Sequence, residues 1–287
     1  MDFRLTEDQR ALRRGVRDLL EGRFGREALR AAVEAGGALD RGLWRELADA
    51  GFFALRLPEE EGGVGLGLPE AVLVFEEAGR ALLPGPLVAT HMAAGSVPGA
   101  AEGTVVVTAV SEGLVPWLDA ADVVVGSADG AVPVRSVDPL TPLHRVPAKG
   151  GAEAGVEVLL TAAEQVGSAG RTTEMAVSYA REREQFGQVI GGFQAVKHLC
   201  AGMLVRTELA RAAVRAASLT ADPVEIAGAK LLADEAATGN ARDCLQVHGG
   251  MGFTWEADVH LHLKRAWVRS ELRLPAARAE ETVAAGL

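Results

Sequence analysis

The sequence predicts a mainly α-helical protein in three stretches: an N-terminal helical domain over 1–100, a reduced β segment over 101–151 and a C-terminal four-helix bundle over 152–287. Three observations carry this. Ala, Leu, Glu and Arg, all good helix formers, dominate the chain. Apolar residues at helical spacing follow recognisable caps in both outer stretches. The β-branched runs are short and confined to the middle.

Taken in order, Thr6 and Gln9 form a capping box ahead of Leu12, Val16, Leu19 and Leu20, which share one helical face. Asp40 caps a second helix carrying Leu43, Trp44 and Leu47, with Gly51 to end it. Residues 59–70 (EEEGGVGLGLPE) read as a glycine loop. A further helix starts at Pro69, carries Val72, Leu73 and Phe75, and breaks at Leu83-Pro84-Gly85-Pro86. Its Glu76 and Glu77 are expected on the helix surface. Residues 104–110, 122–126 and 131–137 read as strands. The segment is too short for an independent barrel and ends near Gly150-Gly151. Helices are then predicted over about 154–181, from near Phe193, from Asp222-Pro223-Val224-Glu225, and after a glycine turn at 249–252.

The balance of charge narrows the function. A net charge of -10 argues against a nucleic-acid partner, while leaving room for an anionic ligand at a local Arg. No apolar run reaches the roughly 20 residues that span a bilayer, and MDFRLTEDQ has no basic region leading into an apolar one. A cytoplasmic protein is expected, with Cys200 and Cys244 as reduced thiols. His260 and His262, two apart on a helix, face different ways and make a poor metal pair. No metal site is expected. Ser111 and Ser168 lack a nucleophile's setting, and Trp117 reads as a core or edge residue.

Two loops stand out. The first is REQFGQVIGGFQ, from Arg183 to Gln194, between two long helices. Its Arg183 can fork onto a phosphate, or simply decorate an interhelical turn. The second is QVHGGMGF, from Gln246 to Phe253, where bare glycines let a ligand approach the backbone or merely connect two helices. It is neither a Walker loop nor a dinucleotide fingerprint. His198 and His248 beside these loops read as packing residues.

Together the two loops, some fifty residues apart across a helical hairpin, resemble the C-terminal domain of acyl-CoA dehydrogenases. LWRELADAGFFALRLPEEEGGVGLGLPEAVLVFEEAGRALLP is similar to that family's N-terminal domain. The resemblance covers about 1–90 and 153–270. It implies FAD as cofactor and an acyl-CoA as substrate, with the flavin lying across a subunit interface. It also implies Arg183, Phe186, Gln194, Gln246, Gly249 and Gly250 as contacts to its pyrophosphate and adenosine end.

The chain departs from the family twice. The middle segment lacks the flavin-ring signatures, and Trp117 in VPWLDA is a poor match to them. The family's base is a Glu near the C-terminus, where this chain carries Arg273. Some members place the base on the first helix of the C-terminal domain, and that count lands on Glu157. The resemblance therefore implies a short subunit of a heteromeric acyl-CoA dehydrogenase (α₂β₂), paired with a full-length subunit and acting on a bulky, sterol-type thioester. A homomeric enzyme using Glu157 and a structural subunit without flavin are the alternatives.

Overall fold

The computed structural model describes residues 4–147 and 155–286. The predicted boundary at Gly150-Gly151 lies outside them. Five helices open the chain: α1 (Glu7–Arg23), α2 (Arg26–Glu34), α3 (Arg41–Asp49), α4 (Leu68–Ala81) and α5 (Leu87–Ala93). Five strands of three residues follow: β1 (Val107–Ala109), β2 (Leu114–Pro116), β3 (Val123–Val125), β4 (Val132–Val134) and β5 (Leu143–Arg145). The chain then turns helical again as α6 (Val156–Glu182), α7 (Gln194–Thr220), α8 (Pro223–His248), α9 (Val259–Glu271) and α10 (Ala276–Ala285).

The predicted caps are present. Gln9 N donates to Thr6 Oγ1 and Thr6 N to Gln9 Oε1, each at 3.1 Å, while Gln9 Nε2 reaches Glu70 Oε1 at 2.8 Å and ties α1 to the start of α4. Asp40 accepts from Gly42 N and Leu43 N. At the far end of α3, Phe52 N bonds Leu47 O and Gly51 N bonds Ala48 O, with Gly51 in the left-handed region. That is a Schellman stop. Asp222 caps α8 in the same way as Asp40 caps α3.

Three helices and two strands escape a reading by caps and β-branched runs. Helix α2 starts at Gly25, which has no side chain to cap with. Helix α5 is seven residues and begins after Pro86. Helix α10 adds a fifth helix against α8, beyond the predicted four. Strand β2 ends in proline, and β5 has no β-branched residue. The strands form a parallel β1–β3 pair and a β2–β5–β4 antiparallel sheet. Trp117 is buried beside them and donates from Nε1 to Gly37 O at 3.0 Å.

The expectation that Glu76 and Glu77 lie on a helix surface is wrong. Helix α4 is buried at every position from Ala71 to Gly79, and the two carboxylates are 6% and 2% exposed. A buried carboxylate needs a cation, and each has one. Glu77 receives Arg17 Nε and Nη2 at 2.8 and 2.7 Å, and Glu76 receives Arg211 Nε at 2.8 Å. So α4 is held to α1 on one side and α7 on the other. Against α6 a single peripheral pair, Arg80 Nη1 to Glu174 Oε2 at 2.6 Å, accompanies close backbone contact. A Cβ on Gly79 would lie 1.9 Å from Glu164 O, and one on Gly167 would lie 1.8 Å from Glu76 O. Neither position has room for a methyl group. One apolar core runs through this crossing, from Leu20, Trp44 and Phe75 to Leu159, Val214 and Leu261.

Two consequences can be measured. Gly167→Ala forces the backbones of α4 and α6 apart and is expected to destabilise the protein by about 3 kcal/mol or more, read from urea unfolding. The second concerns His262 of α9, which is buried, shares a 2.7 Å hydrogen bond with Ser168 Oγ and is pushed down to about 3 by burial and nearby arginines. The unfolded chain takes up this proton below pH 6.5 and the folded one does not. The group's full contribution to stability is therefore present above pH 6.5 and is lost on acidification at about 1.4 kcal/mol per pH unit. In His262→Gln the fall in stability between pH 6 and pH 4 should be shallower by that amount.

Candidate functional site

The two loops singled out in the sequence lie at one end of the bundle, because α6 and α8 both run toward it and α7 starts there. Arg183 caps α6, and the chain turns back at once through two-residue strands, β6 (Glu184–Gln185) and β7 (Gln188–Val189). Phe186 and Gly187 form the turn with φ of 53° and 81°. This is the primed geometry that a two-residue hairpin loop requires. Gly187 adopts it freely, whereas Phe186 does so at a cost and leaves its ring 92% exposed, edge-on to Phe193 at 6.1 Å. The Arg183 carbonyl accepts from Ile190 N at 2.8 Å, while its guanidinium is exposed and has no partner among the described residues.

The second loop ends α8. Gly249 takes φ 58° and ψ -138°, a conformation open to glycine and little else, and the chain continues through a tight turn to Phe253. A Cβ added at Gly249 or Gly250 would meet nothing within 4 Å, so this backbone faces open space. Gln246 and Gln194 are exposed as well. The two loops are tied together underneath. Tyr179, in the last turns of α6, stacks on His248 at 4.1 Å, and His248 Nδ1 bonds the Cys244 carbonyl at 2.8 Å. Ala176, Ala180, Met203, Cys244 and Val259 make a separate small core there.

His248 packs as expected, but His198 does not. It is exposed and lines an open hollow of about 400 Å³ between α7 and α8 with Gly202, Arg206 and Asp243. Arg206 pairs with Asp243 and donates from Nε to Asn240 Oδ1 at 2.8 Å. The amide nitrogen of the wholly buried Asn240 lies 2.8 to 3.2 Å from oxygens of Ala169, Thr173, Met203 and Thr207, which joins α6, α7 and α8. Sequence reasoning missed Asn240, Arg206 and Asp243. Their helical spacing over Arg206 to Asp243 carries no motif, and only the folded bundle brings them together. The Cys244 thiol, pushed up to about 12 by burial, is no nucleophile, and Cys200 is likewise a free thiol.

The base candidate is elsewhere. Glu157 sits in the first turn of α6, half-buried, some 26 positions before Arg183, hence about 39 Å from it along the helix. Its charge acts on Arg273, which follows α9 with φ 53°. Burial pushes the Arg273 guanidinium below its ordinary range. Around Arg273 the interior is ionic. Arg269 donates to Glu164 at 2.7 Å, Arg265 pairs with Asp138, and Lys230 pairs with Asp234. Glu157 and the two loops therefore occupy opposite ends of α6. Among the described residues no cluster could hold a metal ion, and no helix is long and apolar enough to cross a membrane.

Known proteins resemble this chain along its length. Residues 6–105 match the model for the acyl-CoA dehydrogenase N-terminal domain, and residues 153–272 match that for the C-terminal domain. The acyl-CoA dehydrogenase IpdE2 of Mycobacterium tuberculosis is 37% identical over 93% of each chain. Among solved structures, the ChsE4–ChsE5 complex from M. tuberculosis superposes with a TM-score of 0.83 at 24% identity, covering 99% of this chain and 97% of that one. The Tcur3481–Tcur3483 steroid ACAD superposes with a TM-score of 0.80 at 24% identity, covering 97% of each. With both of its helical halves matched, the chain belongs to the acyl-CoA dehydrogenase family.

Proposed function

We propose that this acyl-CoA dehydrogenase chain is the short subunit of a heteromeric, FAD-dependent enzyme. It would supply the site for the pyrophosphate and adenosine end of the flavin, while a full-length partner subunit supplies the ring pocket and the base. The observation that carries this reading is the meeting, at one end of the bundle, of an unpaired guanidinium and an open glycine turn. A doubly charged pyrophosphate wants a forked cation and free backbone donors. Arg183 offers the first and the turn at Gly249-Gly250 the second. The exposed Phe186 ring offers a flat apolar face, and the amides of Gln194 and Gln246 offer polar contacts beside it. The donor set thus fits a dinucleotide that reaches in from a neighbour.

A flavin bound there would supply the acceptor for the hydride that leaves the β-carbon of the thioester. The α-proton needs a carboxylate. Arg273 stands where the family's usual glutamate is expected, and a guanidinium cannot accept that proton. The five strands of three residues make only a parallel pair and a three-stranded antiparallel sheet. The 39 Å or so between Glu157 and Arg183 also keeps them from serving one reacting centre within a single chain. These facts favour a clasp whose flavin reacts in another subunit. Two structural relatives are named for two components each, ChsE4 with ChsE5 and Tcur3481 with Tcur3483, and the second is a steroid ACAD. They support a heterotetramer and a bulky, sterol-type acyl group. A second reading, a homomeric enzyme with Glu157 as base, draws on that carboxylate's place in the first turn of α6, close enough to act on Arg273.

Purification separates these readings. The chain alone should be colourless and should become yellow when co-expressed with a full-length relative; a yellow, active single chain would favour the homomeric enzyme. In the complex, Arg183→Ala should weaken flavin retention about tenfold, as expected for the loss of a charged hydrogen bond, and unchanged flavin stoichiometry would count against the clasp. Glu157→Gln should leave flavin bound and turnover intact. Loss of turnover with the flavin retained would instead assign the base to this chain.

A further inference from the structure

At the opposite end of α6 from the two loops, the interior holds a cavity of about 50 Å³ lined by Ser111, Trp117, Glu164, Arg265, Arg269 and Arg273, among others. Three arginines meet a single carboxylate on its wall. Arg265 and Arg269 are only 1% and 5% exposed, yet neither is fully bonded. Arg265 uses Nε on Asp138 and Nη1 on the Leu83 carbonyl at 3.2 Å, which leaves Nη2 without a partner. Arg269 uses Nη2 on Glu164 and leaves Nη1 without one. Ser111 Oγ accepts from Arg273 N at 2.9 Å, and its own proton finds no acceptor among the described residues. The Arg273 guanidinium makes no hydrogen bond among them either.

The fully buried side-chain atoms of this wall that lack a partner are thus donors, and both belong to guanidinium groups. Buried donors left unmade are costly, so the wall favours a guest that brings acceptors. A cation would meet three guanidinium groups, and an apolar guest would leave their N–H groups unanswered. A carboxylate matches them in charge and in planar, forked geometry. The size agrees, since a water needs roughly 10–15 Å³ and the space therefore takes about four waters or one carboxylate group. Burial also holds Arg269 down to about 10 and Arg273 below its usual value, a penalty that a neighbouring anion reverses.

We propose that this cavity is a carboxylate-binding site, formed by Arg265, Arg269, Arg273 and Ser111 and separate from the loops at the other end of α6. The ligand is either a small free acid or the acidic end of a longer molecule entering through the mouth.

The test is calorimetric titration of the full chain, in complex where it co-purifies with a partner, using sodium acetate, hexanoate, phosphate and chloride at constant ionic strength. Saturable binding of acetate and hexanoate alike identifies a free small acid; binding of hexanoate alone identifies the end of a longer one. Either result supports the site. Arg273→Gln and Ser111→Ala should each weaken that binding about tenfold, with the helical circular dichroism signal unchanged. Phosphate binding more tightly than either acid, a response no greater than that to chloride, or full affinity in both variants would overturn the assignment. Flavin content, measured on the same samples, should not change in either variant, so failure here is distinguishable from failure of the clasp at Arg183.

Discussion

The crossing of α4 and α6 is the contact on which the rest of the molecule hangs. Two glycines, Gly79 and Gly167, let the backbones touch where any other residue would hold them apart. The helix fixed by this contact, α6, is the longest lever in the protein along with α7, at 27 residues each. One of its ends carries Glu157 and faces the ionic interior. Its other end carries Arg183 and the hairpin. Because an α-helix is stiff over this length, setting the angle at Gly167 sets where both ends lie.

Close approach of backbones has an electrostatic companion. With α4 buried on all sides, Glu76 and Glu77 lose water and must be answered by arginines from α1 and α7. Buried ion pairs of this kind add little net stability, because desolvation offsets most of the attraction. Removing one partner is another matter, since a lone buried charge remains. The same logic holds for Arg269 with Glu164 and for Lys230 with Asp234. A core built this way constrains which helix faces may meet, and an apolar residue at any one of these positions would strand its partner.

What the sequence revealed depended on whether the signal was local. Thr6 with Gln9, Asp40, and Asp222 with Pro223 are caps whose geometry is set within four residues, and each is present as read. The order of helices, short strands and bundle followed from periodicity. Helices α2 and α5 were not legible, because Gly25 and Pro86 give no side-chain cap. Glu76 and Glu77 were misjudged for a deeper reason. A carboxylate on a helix reads as surface unless its cation is known, and Arg17 and Arg211 lie 60 and 135 residues away along the chain. Distance in sequence also hid Asn240, whose amide on α8 collects oxygens from α6 and α7. At the proposed clasp, residue types and spacing were legible, but the stack of Tyr179 on His248 that fastens the two loops was not.

The two ends of α6 differ in what they leave unmatched, and this difference bears on the proposed division of labour between subunits. At the loop end, the unpaired guanidinium of Arg183 is exposed, so water serves it until a ligand arrives and the free chain bears little cost. At the interior end, the unpaired nitrogens of Arg265 and Arg269 are buried, so their cost falls on the folded chain itself. An exposed cation is suited to a ligand delivered by a neighbouring subunit, because docking and binding occur together. A buried donor set is suited to a guest that resides within the chain. A guanidinium at Arg273 cannot abstract a proton, so this interior is suited to holding charge. On the proposed reading, the outward end is the one suited to a shared ligand and the inward end the one suited to holding charge.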